Sequence, residues 1–147
     1  MRALLTVTVL ACGVTLAAPV PKKGEKPDAE AIQGTWVLDK FEGEDEPPPG
    51  VVIKFNFTKD GKMGVELGGM AREKGGYKLD PKTKPKSIDL TDPDRENTLG
   101  IYELDGDALK ICIVEGKNAA RPTEFKAVGK KVMLFTLKRV KDEKKDK

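Results

Sequence analysis

A pair of alternating apolar segments within residues 100–114, joined by an Asp-Gly-Asp turn, constrains this chain most. Asp and Gly favour tight reversals between antiparallel strands. Each apolar residue meets an apolar partner only if Leu104 lies opposite Leu109, which places Tyr102 opposite Ile111. This register requires a loop of two or four residues, because a loop of three would mix the apolar and polar faces. The sequence therefore predicts a half-buried antiparallel pair at the centre of the fold.

Similar short segments, separated by turn residues, recur from residue 34 to residue 140. The clearest is residues 51–57, where every second residue, from Val51 to Phe57, is apolar. Residues 123–127 are predicted to form another strand, and residues 132–140 the last one. The pattern gives eight or nine short strands and no long helix. Because closing such a sheet removes its exposed edges, the sequence predicts an all-β fold, a single antiparallel up-and-down β-barrel of about eight strands.

The amino terminus predicts export. Residues 1–18 contain Arg2, then an uncharged apolar run that ends in the small-residue pattern Thr15-Leu16-Ala17, as in a secretory signal peptide. We therefore expect a periplasmic or extracellular protein. The predicted organisation is a signal peptide at 1–18, a polar linker at 19–31, the barrel domain at 32–140 and a charged tail at 141–147.

Cys12 gives an alternative to plain secretion. Residues 9–12 resemble a bacterial lipoprotein box, in which the cysteine is lipidated. Leu10 stands where a small residue is usual, and the apolar run continues beyond Cys12, so plain secretion is favoured. We expect membrane contact only if Cys12 is lipidated. The second cysteine, Cys112, is predicted to be a small apolar strand residue, because the chain has no histidine to activate a thiol.

The charge pattern argues against a nucleic-acid partner. The 27 Lys and Arg residues are interspersed with 24 Asp and Glu residues, whereas nucleic-acid interfaces carry a basic patch of one sign. Asp105 and Asp107 are explained by turn chemistry, since the full spacing of a calcium loop is missing. Among so many carboxylates, no pair marks a catalytic site. We expect no cofactor, no metal, no enzymatic activity and a monomer.

Gly34-Thr35-Trp36 opens the first strand after a predicted helical turn at residues 29–33. Arg139 falls on the inward face of the last strand, in register with Phe135 and Leu137. This arrangement resembles the lipocalin and calycin group, in which a Gly-x-Trp pattern opens strand one and an arginine of the last strand packs across the tryptophan. The resemblance implies that Trp36 and Arg139 form a structural pair, worth about 0.5–2 kcal/mol as a cation–π contact.

A longer series of motifs covers the domain from residue 32 to residue 139. This series is similar to a planctomycete lipocalin-like domain family of uncharacterised function. The resemblance implies a lipocalin-like barrel and carries over no catalytic or binding residue. The motifs are Leu79-Asp80-Pro81, residues 85–91, residues 100–107, residues 109–112, Arg121-Pro122-Thr123-Glu124-Phe125 and Leu137-Lys138-Arg139.

The barrel interior is the predicted ligand site. Eight-stranded barrels either hold one small ligand or are filled by side chains, so two functions stay open. The first is an exported, non-enzymatic module that binds a small apolar ligand in the barrel. The second is a structural or protein-interaction domain of the cell envelope with a solid core. The side chains predicted to line the site are Trp36, Phe55, Tyr102, Ile111 and Phe135.

Arg121 and Glu124 form a conspicuous polar run before the segment 123–127. We expect the two side chains to form a polar clasp that shapes their loop. The alternative is that this run binds an anionic group at the mouth of the barrel.

Overall fold

A computed structural model describes residues 26–92 and 97–141 of the chain. The predicted signal peptide, Cys12, most of the linker and nearly all of the charged tail lie outside the described residues. Within the described part, no helix is long and apolar enough to cross a membrane.

Eight antiparallel strands form one closed barrel in which each strand pairs with the next and the last returns to the first. This confirms the all-β, up-and-down barrel that the alternation predicts. A four-residue helix, α1, precedes the first strand. The elements are α1 Asp28–Ala31, β1 Gly34–Glu42, β2 Ile53–Phe57, β3 Lys62–Leu67, β4 Met70–Asp80, β5 Ser87–Thr91, β6 Thr98–Asp105, β7 Ala108–Val114 and β8 Val132–Arg139.

The central hairpin, β6 and β7, has the predicted register. Leu104 lies opposite Leu109, and Tyr102 lies opposite Ile111. Asp105 pairs with Ala108, so the connecting loop is Gly106 and Asp107, one of the two loop lengths that the alternation allows. The inward face of this pair is therefore apolar, and the charged side chains of the hairpin face solvent.

The barrel has two different ends. The β2–β3, β4–β5 and β6–β7 turns lie at one end together with α1, and we call this the closed end. The four remaining loops lie at the other, open end. Side chains near the closed end are fully packed, and Trp36, Tyr102, Leu109 and Leu137 are each at most 1% exposed. Side chains nearer the open end, such as Phe55 and Phe135, are only partly buried.

A bulge in β1 changes which residues point into the barrel, from even-numbered ones before the bulge to odd-numbered ones after it. Leu38 lies opposite Leu137, but Lys40 pairs with Thr136 and Phe41 with Phe135. The extra residue therefore lets Phe41 share a face with Phe135, and their ring centroids are 5.2 Å apart.

The predicted strand at residues 123–127 is wrong. This stretch is irregular and belongs to the segment 121–127, the outer strap, which lies on the outer face of the barrel. Strand pairing is not open to the strap, because β7 pairs directly with β8. Its apolar residues instead cover three buried outward side chains. These contacts join Phe125 and Ala127 to Ile101, Cys112 and Leu134.

The start of β2 also differs from the prediction. β2 begins at Ile53, while Val51 and Val52 precede it and are 37% and 53% exposed. The Val51 N–H donates to the Pro48 carbonyl at 3.2 Å. This turn contact follows the proline run and keeps Val51 out of the strand ladder.

Candidate functional site

An apolar cavity of about 270 Å³ occupies the open half of the barrel. Its walls come from the inward faces of β2, β3, β5, β7 and β8, where alternation places the apolar side chains on the same side of each strand. The apolar lining is Ile53, Phe55, Met63, Val65, Leu67, Leu90, Ile111, Ile113, Met133 and Phe135. Four polar residues also line it, from the open ends of β5, β6 and β7, namely Thr91, Asp92, Thr98 and Glu115.

Cross-strand pairs fix the cavity wall. Phe55 lies opposite Val65, and Ile111 lies opposite Phe135. The Phe55 and Phe135 rings meet edge to face with centroids 5.5 Å apart, a preferred aromatic geometry. The cavity wall is therefore built by side chains that already pack against one another without a ligand.

The five residues predicted to line a ligand site occupy two different depths. Phe55, Ile111 and Phe135 line the cavity. Trp36 and Tyr102 face the same interior, but they lie in the packed closed half and are 0% and 1% exposed. Period-2 alternation identifies the inward face of a strand, but it does not tell how far along the barrel a side chain lies.

Trp36 and Arg139 close the barrel floor together. The Arg139 guanidinium lies over the Trp36 ring, 4.1 Å from the ring centroid. Arg139 also donates hydrogen bonds to the carbonyls of Ala31 and Gln33, and the indole N–H of Trp36 donates to the Ile32 carbonyl at 2.8 Å. These bonds satisfy carbonyls that a helix end leaves without internal partners. α1 is thus fixed across the closed end.

The glycine of the Gly-x-Trp motif has a conformational role. Gly34 has φ of +114°, a value that L side chains rarely adopt, and a Cβ there would lie 3.4 Å from Arg139 Nη1. Glycine is therefore the residue that lets the chain turn into β1 while Arg139 reaches α1.

A second polar network joins α1 to the barrel. The Tyr102 hydroxyl donates to Asp28 Oδ2 at 2.6 Å, and Lys86 Nζ donates to the same oxygen at 2.7 Å. Burial and, after it, the hydrogen bond to Asp28 raise the pKa of Tyr102 far above its ordinary value. The sequence offered no signal for this network, because Asp28 and Tyr102 are 74 residues apart.

The raised pKa of Tyr102 predicts a loss of stability in strong base. A folded-state pKa above the unfolded value of about 10 means that the stabilisation is complete below that pH and decreases as the pH rises above it. Tyr102→Phe is expected to make the fall in unfolding free energy above about pH 10 shallower, as measured by urea denaturation across that range. Tyr77→Phe is the comparison variant: burial also raises the pKa of Tyr77, but this side chain is only partly buried, so its substitution is expected to change the slope less than Tyr102→Phe does. Equal slopes in wild type and Tyr102→Phe would contradict the buried hydroxyl.

The predicted clasp between Arg121 and Glu124 is not the pairing that the structure contains. Arg121 Nη2 lies 2.7 Å from Asp89 Oδ1. Glu124 instead pairs with Lys126 at 2.9 Å, and this pairing lowers the pKa of the fully exposed Glu124. Arg121 turns away from Glu124 because Asp89 and two strand carbonyls lie against it on the barrel surface.

Cys112 is an outward residue of β7 that the outer strap covers completely. Burial raises the pKa of its thiol, which disfavours the reactive thiolate. Among the described residues, no group of three or more His, Cys, Asp or Glu side chains could hold a metal ion. The apolar cavity is therefore the best-formed candidate for a functional site.

Comparison of the chain with models of protein families, with curated proteins and with solved structures finds no match.

Proposed function

We propose that this protein is a non-enzymatic, lipocalin-like module that holds one small apolar ligand in the open half of its barrel. The observation that carries the proposal is the cavity of about 270 Å³ with apolar walls. Pre-formed concave sites lined mainly by apolar and aromatic side chains, with a few polar groups, are typical of small-molecule binding.

The cavity volume limits the size of the ligand. An apolar cavity of about 150 Å³ accommodates one benzene molecule, so a cavity of about 270 Å³ accommodates about eleven non-hydrogen atoms. At about 0.5 kcal/mol per atom, within the range for small ligands, the expected dissociation constant is about 0.1 mM. A bicyclic aromatic or a chain of about ten carbons fits these limits.

The two halves of the barrel have complementary roles in this proposal. Packing of Trp36, Tyr102 and Leu137 in the closed half stabilises the fold, so the open half does not need to be filled. A wall that is ordered before binding also lowers the entropy cost of holding a ligand. The solid closed half equally suits the alternative function, a structural or protein-interaction domain of the cell envelope, if the open half takes no ligand.

We further propose that the protein is exported, with residues 1–18 removed as a signal peptide. The mass of the mature protein purified from its own host tests this proposal. A chain that begins near residue 19 supports plain secretion, and a lipidated chain that begins at Cys12 supports the lipoprotein alternative. An intact Met1 would contradict both.

Binding of 2-naphthol, a fluorescent probe of about eleven non-hydrogen atoms, tests the cavity directly. We expect saturable binding to the wild type. Val65→Phe places a larger ring inside the cavity and is expected to weaken binding at least tenfold, about 1.4 kcal/mol.

Val37→Phe is the matched control, because Val37 pairs with Lys54 and Lys138 on the outer face of β1. This variant is expected to bind the probe like the wild type. Absence of saturable binding, or equal binding by Val65→Phe when both variants keep the thermal stability of the wild type, would overturn the proposal.

A further inference from the structure

A second concave site, the outer groove, lies on the outside of the barrel. It has a volume of about 420 Å³ and runs between the β4–β5 turn and the beginning of the outer strap. It is separated from the apolar cavity by the barrel wall, and the two sites share no lining residue. Its polar lining includes Lys78, Lys84, Ser87, Asp89, Arg121 and Thr123.

Arg121 is held in a fixed orientation at the groove. Its Nη1 group donates to the carbonyls of Ile88 at 3.2 Å and Gly100 at 2.7 Å, and its Nη2 group lies 2.7 Å from Asp89 Oδ1. A guanidinium has five N–H donors, and these three contacts leave about two donors for a further acceptor. An arginine with a fixed planar fork is well suited to recognise a carboxylate in a bidentate manner.

Ser87 provides a second hydrogen-bonding side chain at the groove. It is 7% exposed and is the one buried polar residue in the described part of the chain. Ser87 lies opposite Asp80 and Ile101 on the outer face of β5 and lines the groove. Among the described residues, the one buried side-chain polar atom without a hydrogen bond is not this hydroxyl but Asp89 Oδ1, which the ion pair with Arg121 holds. Because Ser87 lines the groove, its hydroxyl can donate a hydrogen bond to an acceptor there.

The charge of the groove selects the class of ligand. The cations Lys78, Lys84 and Arg121 are opposed by Asp80 and Asp89, which leaves a net charge of +1. One negative charge balances this environment better than a phosphate, which carries about −1.5 to −2 at neutral pH. Four apolar residues lie beside the charged groups and suit an organic body, namely Leu79, Pro85, Ile101 and Pro122.

We propose that the outer groove binds an organic monocarboxylate. Arg121 donates two N–H groups to the carboxylate, and the Ser87 hydroxyl donates a hydrogen bond to it. Asp89 positions the guanidinium without occupying all of its donors, and the apolar side chains contact the body of the ligand. This site is distinct from the apolar cavity and does not depend on its occupation.

A titration with benzoate, followed by backbone amide NMR of the full chain, tests the proposal. Benzamide is the matched uncharged probe, and inorganic phosphate is the test of charge selection. We expect saturable benzoate shifts at Ser87 and Thr123, and no saturable shift there with either of the other two compounds. Ser87→Ala and Arg121→Lys, which retains the charge but loses the planar fork, are each expected to weaken benzoate binding about tenfold.

Two control variants separate the groove from other effects. Lys54→Ala removes a cation that pairs with Glu66 at 3.1 Å on a different face, and Val65→Phe alters the cavity. Both are expected to leave benzoate binding at the groove unchanged. The proposal is overturned if benzoate gives no saturable shift at Ser87, if benzamide binds there equally well, or if Ser87→Ala and Lys54→Ala weaken binding equally.

Discussion

Trp36→Ala is expected to lower the free energy of unfolding by about 3–5 kcal/mol, as for other large core aromatics. The indole is 0% exposed, so its loss leaves a void that the closely packed closed half fills only in part. The substitution also removes the hydrogen bond to the Ile32 carbonyl and the ring beneath Arg139. Both contacts hold α1, so the effect reaches the whole closed end.

Urea denaturation of the purified protein measures this effect. Trp36→Phe keeps an aromatic ring beneath Arg139 but loses the indole N–H, and we expect an intermediate loss of stability. This second variant remains informative if Trp36→Ala does not fold, since small domains have only about 5–15 kcal/mol of stability in total. A near-neutral Trp36→Ala would contradict the position of Trp36 at the floor of the barrel.

Gly75→Ala is expected to lower the free energy of unfolding by about 2–6 kcal/mol, from backbone strain and overpacking together. Gly75 has φ of +122°, and a Cβ there would lie 1.8 Å from the Thr91 carbonyl oxygen. It lies beside a bulge, where the β3–β4 register shifts between Met63 and Gly64. Because Thr91 lines the apolar cavity, displacement of β5 would also distort the ligand site.

Gly69→Ala is the matched control for Gly75. Gly69 also has a positive φ, +89°, but nothing lies within 4 Å of the position of its Cβ. Gly69→Ala is therefore expected to lower the free energy of unfolding by about 1–3 kcal/mol, from backbone strain alone. Denaturation of both variants separates the two effects. If Gly75→Ala costs no more than Gly69→Ala, the close approach of β4 to the end of β5 is wrong.

The barrel could be predicted from the sequence because the patterns that specify it lie within single strands and the turns between them. Alternation in each strand gives the inward face, and the turn residues give the strand order. In the central hairpin, the pairing of Leu104 with Leu109 follows from parity alone, and the two-residue loop agrees with it. An up-and-down barrel needs little more, since each strand pairs with its neighbour in the chain.

The depth of a side chain along the barrel axis could not be predicted. Tyr102 and Ile111 are directly opposite each other, yet Ile111 lines the cavity and Tyr102 contacts Asp28 beneath it. Depth depends on the stagger of all eight strands and on the position of α1. Neither leaves a periodic signal in the sequence.

The prediction of a strand at residues 123–127, within the outer strap, failed for a related reason. Phe125 and Ala127 have the spacing of a strand, but the segment packs on a barrel whose strand ladders are already complete. The acidic partner of Arg121 is Asp89, 32 residues earlier in the chain rather than three residues later. Local proximity favoured Glu124, whereas the fold brings Asp89 to the strap. The groove next to Arg121 therefore could not be predicted from the sequence, because only the closed barrel brings its lining residues together.

Methyl NMR of isoleucine-labelled protein with 2-naphthol tests the central claim most directly. The chain has six isoleucines. Ile53, Ile111 and Ile113 line the cavity, whereas Ile32, Ile88 and Ile101 lie outside that lining. We predict saturable shifts and contacts with the probe for the first three methyl groups and none for the other three. If the cavity methyl groups do not respond up to the solubility limit of the probe, or if all six respond equally, the barrel does not hold a ligand in its open half.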